Sequence, residues 1–188
     1  MHPSAFEFVQ RVLPHCDVAG AFVLEIGSLD VNGSVRQEVL RYEPQEYVGL
    51  DIRPGPGVDV VHDAADLPYP DESMDLVIST ETLEHVWPWR EACHEMKRVC
   101  RKGGCVVLTA RSKGFPYHGF PEDYWRFELD GLAFIFSDCE LLKVEPDPLC
   151  PGVFLWARKP TDFSENVVTR LPKSGGAELQ VCKPETER

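Results

Sequence analysis

The segment Val23-Leu-Glu-Ile-Gly-Ser-Leu-Asp-Val-Asn-Gly-Ser34 constrains this chain more than any other. A short apolar run, Phe22 to Gly27, is broken only by Glu25 and closes on a glycine. Gly33-Ser-Val-Arg-Gln37 then has the composition of a helix opening, with Ser34 as cap and Gln37 three positions on, as in a capping box. A strand feeding through a turn into a helix N-terminus gathers backbone N–H groups and the positive dipole end at one spot. The segment therefore predicts a ligand site.

The rest of the chain repeats the alternation. Phe6, Val9, Leu13 and Cys16 recur at helical spacing in a leading helix over Ser4–Cys16, with Ser4 and Glu7 in capping-box positions and an end near Pro14. After strand one (Phe22–Gly27), Val35, Val39 and Tyr42 stripe a helix. Tyr47–Ile52 and Val58–His62 read as strands two and three around a Pro-Gly-Pro-Gly turn. Strand four, Asp75–Thr80, is apolar enough at its centre to be covered on both faces. A helix from Pro88 ends at a Lys102-Gly-Gly104 stop before strand five, Cys105–Ala110. Ser112–Arg126 is a long aromatic loop. A helix carrying Leu129, Leu132, Ala133 and Phe136 and two strands, Glu140–Val144 and Val153–Arg158, complete the pattern.

This predicts one α/β domain over residues 1–160, a doubly wound, mostly parallel seven-stranded sheet with helices on both faces. Residues 161–188 lack apolar periodicity and are expected to form a flexible extension.

Charge and cysteine usage narrow the partners. A formal net charge of −12 repels phosphate backbones, so a nucleic-acid partner is not expected. The seven cysteines are scattered without a Cys-x-x-Cys pair, several inside apolar runs, which predicts reduced buried thiols and neither a disulfide framework nor a metal site. No apolar run reaches membrane-spanning length and the first residues do not form a signal peptide, so a cytoplasmic protein without a membrane partner is expected.

Three acids fall where strand ends meet a ligand. Glu25 lies in strand one, Asp51 ends strand two and Asp63 follows strand three. The Gly27-to-Asp51 spacing suits an acid reaching a ribose hydroxyl pair in dinucleotide folds. Each acid taken alone is equally compatible with a solvated loop start.

The stretches Asp63-Ala-Ala-Asp-Leu-Pro-Tyr-Pro-Asp-Glu-Ser-Met-Asp-Leu-Val-Ile-Ser79, Leu83-Glu-His85 and Glu95-Met-Lys-Arg-Val-Cys-Arg-Lys-Gly-Gly104 follow in order behind Glu25 and Asp51. In this order the chain resembles the class I S-adenosylmethionine-dependent methyltransferases, especially the group labelled methyltransferase type 11, from about Phe22 to Ala110. The resemblance implies a Rossmann-like methyltransferase fold and S-adenosylmethionine as cofactor. It places Glu25, Gly27 and Ser28 in the first motif beside the methionine part, and Asp51 on the ribose with Ile52 against adenine. Asp63 and Ala64 would meet the adenine amino group, and Thr80 and Glu81 line the methionine side. One departure stands out: Leu29 and Val31 occupy two positions where the family carries glycine, and Asn32-Gly33 offers a tight turn slightly later.

Methyl transfer from a sulfonium is an in-line displacement that demands alignment and a suitable electrostatic environment more than a local catalytic signature. On the acceptor side, the loop Gly114-Phe-Pro-Tyr-His-Gly-Phe-Pro-Glu-Asp-Tyr-Trp-Arg-Phe127 begins at the ligand-bearing edge. It nominates His118 as base and Tyr124, with Tyr117, as positioning groups, against the alternative that the aromatics only pack the loop. His85 is read as orienting the strand-four loop. The expected function is methyl transfer to a small-molecule acceptor. A non-catalytic binding or regulatory protein on the same fold is the alternative raised by Leu29 and Val31. A nicotinamide dehydrogenase fits less well, because Gly27 to Gly33 fails the Gly-x-Gly-x-x-Gly pattern.

Overall fold

The computed structural model describes residues 1–119 and 121–166. In chain order the elements are α1 (Pro3–Val12) with a 3-10 turn (Leu13–His15), β1 (Phe22–Ile26), α2 (Arg36–Leu40), β2 (Glu46–Asp51), β3 (Val60–Val61) and β4 (Met74–Thr80). A second 3-10 turn (Leu83–His85) leads to α3 (Trp89–Val99), β5 (Cys100–Arg111), α4 (Leu129–Ile135), β6 (Glu140–Pro146) and β7 (Gly152–Arg158). The sheet runs β3-β2-β1-β4-β5-β7-β6. Strands β1 to β5 pair in parallel, and β7 lies antiparallel between β5 and β6. The chain moves outward from β1 in one direction and from β4 in the other, so the crevice where ligands bind such sheets opens between β1 and β4.

Both faces of the sheet are covered, which is why the central strands read as continuous apolar runs. Leu24, Ile26, Val77, Val106 and Leu108 pack with Ala92 and Met96 of α3 and Leu132 of α4. The alternate residues Val23, Leu76, Ile78 and Val107 pack with Phe8, Val9 and Val12 of α1 and with Val35 and Val39 around α2.

Three local expectations are corrected. Pro3 takes the first position of α1 with His2 as N-cap, and the buried Ser4 hydroxyl donates to Asp147 Oδ2 at 2.9 Å instead of capping. Helix α2 has five residues and begins at Arg36 with Val35 as N-cap. Ser34 Oγ accepts the Arg36 N–H at 3.1 Å without a capping box to Gln37. So short a helix has little macrodipole to aim at a ligand. Finally, Gly103 and Gly104 do not terminate α3; they lie inside β5, which starts at Cys100. Met74 pairs with Cys100 and Leu76 with Cys105, a bulge on the β5 side. Gly103 has φ +79°, and a Cβ on Gly104 would sit 2.7 Å from the Asp75 carbonyl oxygen, so the bulge needs both glycines.

One buried ion pair ties α3 to the segment after α4. Lys97 is 1% exposed, and its Nζ donates to Asp138 Oδ2 at 2.7 Å and to the Ile135 carbonyl at 3.2 Å. Of the extension expected over 161–188, residues 161–166 adjoin the domain, with Phe163 against the core and Glu165 paired to His94 at 2.7 Å. Residues 167–188 lie outside the described residues. No described helix is long and apolar enough to cross a membrane.

Candidate active site

At the carboxyl ends of β1, β2 and β4 lies a cavity of about 660 Å³. Its floor is the loop after β1. Gly27 adopts φ +79°, and the N–H groups of Gly27 and Ser28 both donate to the Leu50 carbonyl, at 2.8 and 3.1 Å, lashing the end of β1 to β2. The positions that lack glycine are accommodated from the other side. Leu29 donates its N–H to Asp51 Oδ2 at 3.3 Å and packs over Gly55, where a Cβ would lie 2.4 Å from Leu29 Cδ1. Asp30 N–H donates to the Pro56 carbonyl at 2.8 Å, and a Cβ on Gly57 would meet the Ser28 carbonyl oxygen at 2.5 Å. The close approach this loop requires has moved to the Pro-Gly-Pro-Gly turn facing it. Gly33, at φ +122°, closes the loop by donating to Asp30 Oδ1 at 2.8 Å, the later tight turn expected at Asn32-Gly33.

The strand-end groups line the same space. Asp51 accepts the Arg53 N–H at 3.0 Å, and Ile52 stands 61% exposed beside it. Asp63 is exposed and accepts the Ala65 N–H at 2.9 Å, with Ala64 buried next to it. Thr80 ends β4, and Glu81 follows with φ +50°, a left-handed conformation that a non-glycine residue holds only when its surroundings impose it. Here the Glu81 N–H donates to the Thr109 carbonyl at 2.9 Å, its carboxylate accepts the His2 N–H at 3.0 Å, and it pairs with the buried Arg111. Glu25 is 2% exposed; burial pushes its carboxyl up to about 7, against the opposing hydrogen bond from Tyr47 Oη.

The roof is the loop between β5 and α4, held by the segment after β4. Tyr124 and Trp125 N–H groups both donate to the Glu84 carbonyl, at 2.8 and 3.2 Å, and Trp125 Nε1 donates to the Val86 carbonyl at 3.1 Å. Phe127 is fully buried against Trp89. Trp87, 58% exposed, packs edge-on to Tyr124 at 5.2 Å. Arg126 pairs with the buried Asp123, whose other neighbour is His118, with Nδ1 2.9 Å from Asp123 Oδ2. Burial works against a charged His118, but the carboxylates of Glu84 and Asp123 outweigh it and its imidazole titrates above the usual range.

Of the residues nominated from the sequence, Glu25, Gly27, Ser28, Asp51, Ile52, Asp63, Ala64, Thr80, Glu81, His118 and Tyr124 line this one cavity. Tyr117 is not among the lining residues; it is 42% exposed, with its hydroxyl 3.3 Å from Glu122. The lining also includes His2, Arg111 and His85, and Glu84 is buried beside His118. An arginine ending an apolar strand was the available signal for Arg111. Nothing local marked His2.

A seven-stranded sheet of this order, parallel except at β7, is the Rossmann-like fold of the solved methyltransferase structures it resembles. Residues 24–108 match the family described as Methyltransferase domain. A Mycolicibacterium smegmatis protein named a probable S-adenosylmethionine-dependent methyltransferase is 32% identical over 111 residues, covering 55% of this chain and 42% of that one. Phosphatidylethanolamine N-methyltransferase of Cereibacter sphaeroides is 35% identical over 100 residues, covering 48% and 49%. The aligned part thus spans less than half the length of these relatives. In fold, the chain is similar to Burkholderia thailandensis 1,6-didemethyltoxoflavin-N1-methyltransferase, solved with 1,6-didemethyltoxoflavin and S-adenosylhomocysteine. The TM-score is 0.68 at 15% identity, covering 83% of this chain and 78% of that one.

Proposed function

We propose that the chain is an S-adenosylmethionine-dependent methyltransferase acting on a small-molecule acceptor in a cytoplasmic, reducing setting. The observation that carries the proposal is convergence. Four stretches distant in sequence, Glu25–Ser28, Asp51–Ile52, Asp63–Ala64 and Thr80–Glu81, meet His118 and Tyr124 around one cavity. Its volume of about 660 Å³ suits a small organic ligand. The residues present fit the adenosyl group: a backbone bend at Gly27 without a side chain, a carboxylate at Asp51, an exposed apolar surface at Ile52 and an exposed carboxylate at Asp63. Leu29 and Val31, which raised the non-catalytic alternative, leave the cavity open because Gly55 and Gly57 make room for the altered loop.

When bound, the cofactor supplies an electrophilic methyl group. The chain's own residues supply position and environment. Asp51 holds ribose hydroxyls, Asp63 the adenine edge, and Thr80 and Glu81 the methionine end. The aromatic loop, pinned through the Glu84 and Val86 carbonyls, keeps water from the reacting atoms. His118 presents Nε2 to the acceptor's proton while Asp123 holds Nδ1, and Tyr124, braced by Trp87, orients the acceptor. The net charge of −12 disfavours nucleic acid, and the six described cysteines are free thiols, five of them buried. The Burkholderia neighbour, solved with bound 1,6-didemethyltoxoflavin, supports a small-molecule class.

Incubation with S-adenosylmethionine and a panel of hydroxyl, amine and thiol acceptors, followed by mass spectrometry, tests the proposal. A product heavier by one methyl group, formed in step with S-adenosylhomocysteine, is expected. Cofactor binding without product from any acceptor class would return the chain to the non-catalytic alternative.

A further inference from the structure

The roof of the cavity holds a group that methyl transfer by alignment alone does not require. Glu84, in the turn after β4, is 0% exposed, and neither of its carboxylate oxygens has a hydrogen-bond partner among the described residues. A buried carboxylate left bare is costly unless a cation meets it. The nearby His118 Nε2 lies 3.7 Å from Glu84 Oε1, beyond hydrogen-bond reach. The expectation of no metal site rested on cysteine spacing. This group instead assembles from a turn and a loop more than thirty residues apart in sequence (85 to 118).

Two histidines face that carboxylate with their ring nitrogens already sorted. His118 Nδ1 lies 2.9 Å from Asp123 Oδ2 and 3.3 Å from the Pro116 carbonyl. His85 Nδ1 lies 2.5 Å from the Glu122 carbonyl oxygen. A carbonyl or carboxylate oxygen only accepts, so each neutral ring carries its proton on Nδ1 and leaves the Nε2 lone pair free. Histidine ligands of metals are typically held in this way, with the second nitrogen donating to a carboxylate or backbone carbonyl. The two rings pack edge to face at 4.8 Å, and one donor atom from each of Glu84, His85 and His118 lies within 4.8 Å of the others.

We infer that Glu84, His85 and His118 form a binding site for one divalent first-row transition ion, with zinc or iron(II) the best suited. Two imidazoles and one carboxylate are the ligand set these ions take with positions left open, whereas magnesium and calcium prefer oxygen alone. Bonds of about 2.0–2.2 Å bring ligand atoms to roughly 3.4 Å of one another in a tetrahedral site. The ion therefore draws the three groups together by about an ångström. His85 and His118 are both partly exposed and both line the cavity, so the open positions face the ligand space.

The ion's role rests on the methyl-transfer proposal. An acceptor hydroxyl or thiol bound at an open position loses its proton to solvent more readily. Its lone pair then forms the bond to the methyl carbon as the carbon–sulfur bond of the sulfonium breaks and that electron pair stays on sulfur. In the ion-free chain His118 Nε2 is the proton acceptor; with the ion bound it is a ligand, and activation passes to the ion.

Calorimetric titration of the metal-free full chain with zinc chloride tests the inference. One ion per chain is expected. Glu84→Gln and His118→Ala should each weaken binding more than tenfold, and Asp123→Asn, which weakens the support of His118 together with the Arg126 pair, by about 10–100-fold. Cobalt(II) should give the visible spectrum of nitrogen and oxygen ligation without a thiolate charge-transfer band. Because neither Glu84 carboxylate oxygen accepts a hydrogen bond among the described residues, Glu84→Gln should fold about as stably as the parent, which separates a lost ligand from a lost fold. No binding by the parent, equal binding by Glu84→Gln and His118→Ala, or a thiolate band would overturn it. Titration of the same samples with S-adenosylhomocysteine distinguishes the two proposals: cofactor binding without ion binding removes only this inference, and the converse removes only the methyl-transfer proposal.

Discussion

Gly27→Ala is the substitution whose consequence the structure fixes most closely. At φ +79° an alanine is held in the left-handed region, which costs roughly 1–2 kcal/mol. The three atoms nearest its Cβ all belong to Thr82: Oγ1 at 1.9 Å, Cγ2 at 2.4 Å and Cβ at 2.6 Å. Rotation about χ1 cannot clear a clash that includes Cβ, so the turn after β4 must shift, at an overpacking cost of about 1–3 kcal/mol. The hydrogen bond from Thr82 Oγ1 to the Thr80 carbonyl, 3.0 Å long, is lost in the process, adding about 1 kcal/mol. Gly27→Ala should therefore lose about 3–6 kcal/mol in urea unfolding followed by circular dichroism. In a Thr82→Gly background the clash is gone and only the left-handed cost of about 1–2 kcal/mol remains, a coupling of about 2–4 kcal/mol. A loss that is the same in both backgrounds would refute the packing argument. A loss below about 1 kcal/mol in the parent would refute the loop conformation itself.

Two further perturbations have signs that follow from burial. Glu25 titrates near 7 in the folded chain against an ordinary 4.5, so the folded state binds its proton more tightly than the unfolded state does. Its contribution is fully favourable below 4.5 and is lost as pH rises through 7. Glu25→Gln should remove that loss, leaving the variant more stable than the parent by about 3 kcal/mol at pH 8 and similar to it near pH 4 in paired urea melts; a gap that does not change with pH would contradict the buried-carboxyl argument. Lys97→Met strands the buried Asp138 carboxylate and should destabilise by about 3–5 kcal/mol, with Lys97→Met/Asp138→Leu recovering most of it. Recovery absent in the double variant would show that the pair is not the source of the loss.

The sheet was legible because strands β1, β4 and β5 are covered on both faces, which writes them as unbroken apolar runs whose ends fall within a residue or two of the observed ones, apart from the start of β5. What failed were signals shared by competing structures. Gly103-Gly104 has the composition of a helix stop and serves as a strand bulge, because only the pairing with β4 decides between them. Ser4 has the spacing of a cap, but Pro3 starts the helix and Asp147, 143 residues away, claims the hydroxyl. The cavity was legible through the acids that end consecutive strands, since parallel order alone brings Glu25, Asp51 and Asp63 to one edge. The convergence of Glu84, His85 and His118 was not, because it depends on how the aromatic loop folds back on the turn after β4. The missing glycines of the first loop were visible as a departure. Their compensation by Gly55 and Gly57 appears only when the two segments are in contact.

Calorimetric titration of the full chain with S-adenosylhomocysteine, run beside Asp51→Ala, tests the central claim most directly. Among the described residues Asp51 Oδ1 and Oδ2 accept the backbone N–H groups of Arg53 and Leu29, at 3.0 and 3.3 Å, so its removal leaves the core untouched while taking the carboxylate from the cavity edge. The account predicts one ligand per chain and a loss of at least about tenfold in Asp51→Ala, the effect of roughly 1.4 kcal/mol of lost hydrogen bonding to a charged group. Absence of heat at millimolar ligand, or equal affinity in the parent and Asp51→Ala, would contradict it.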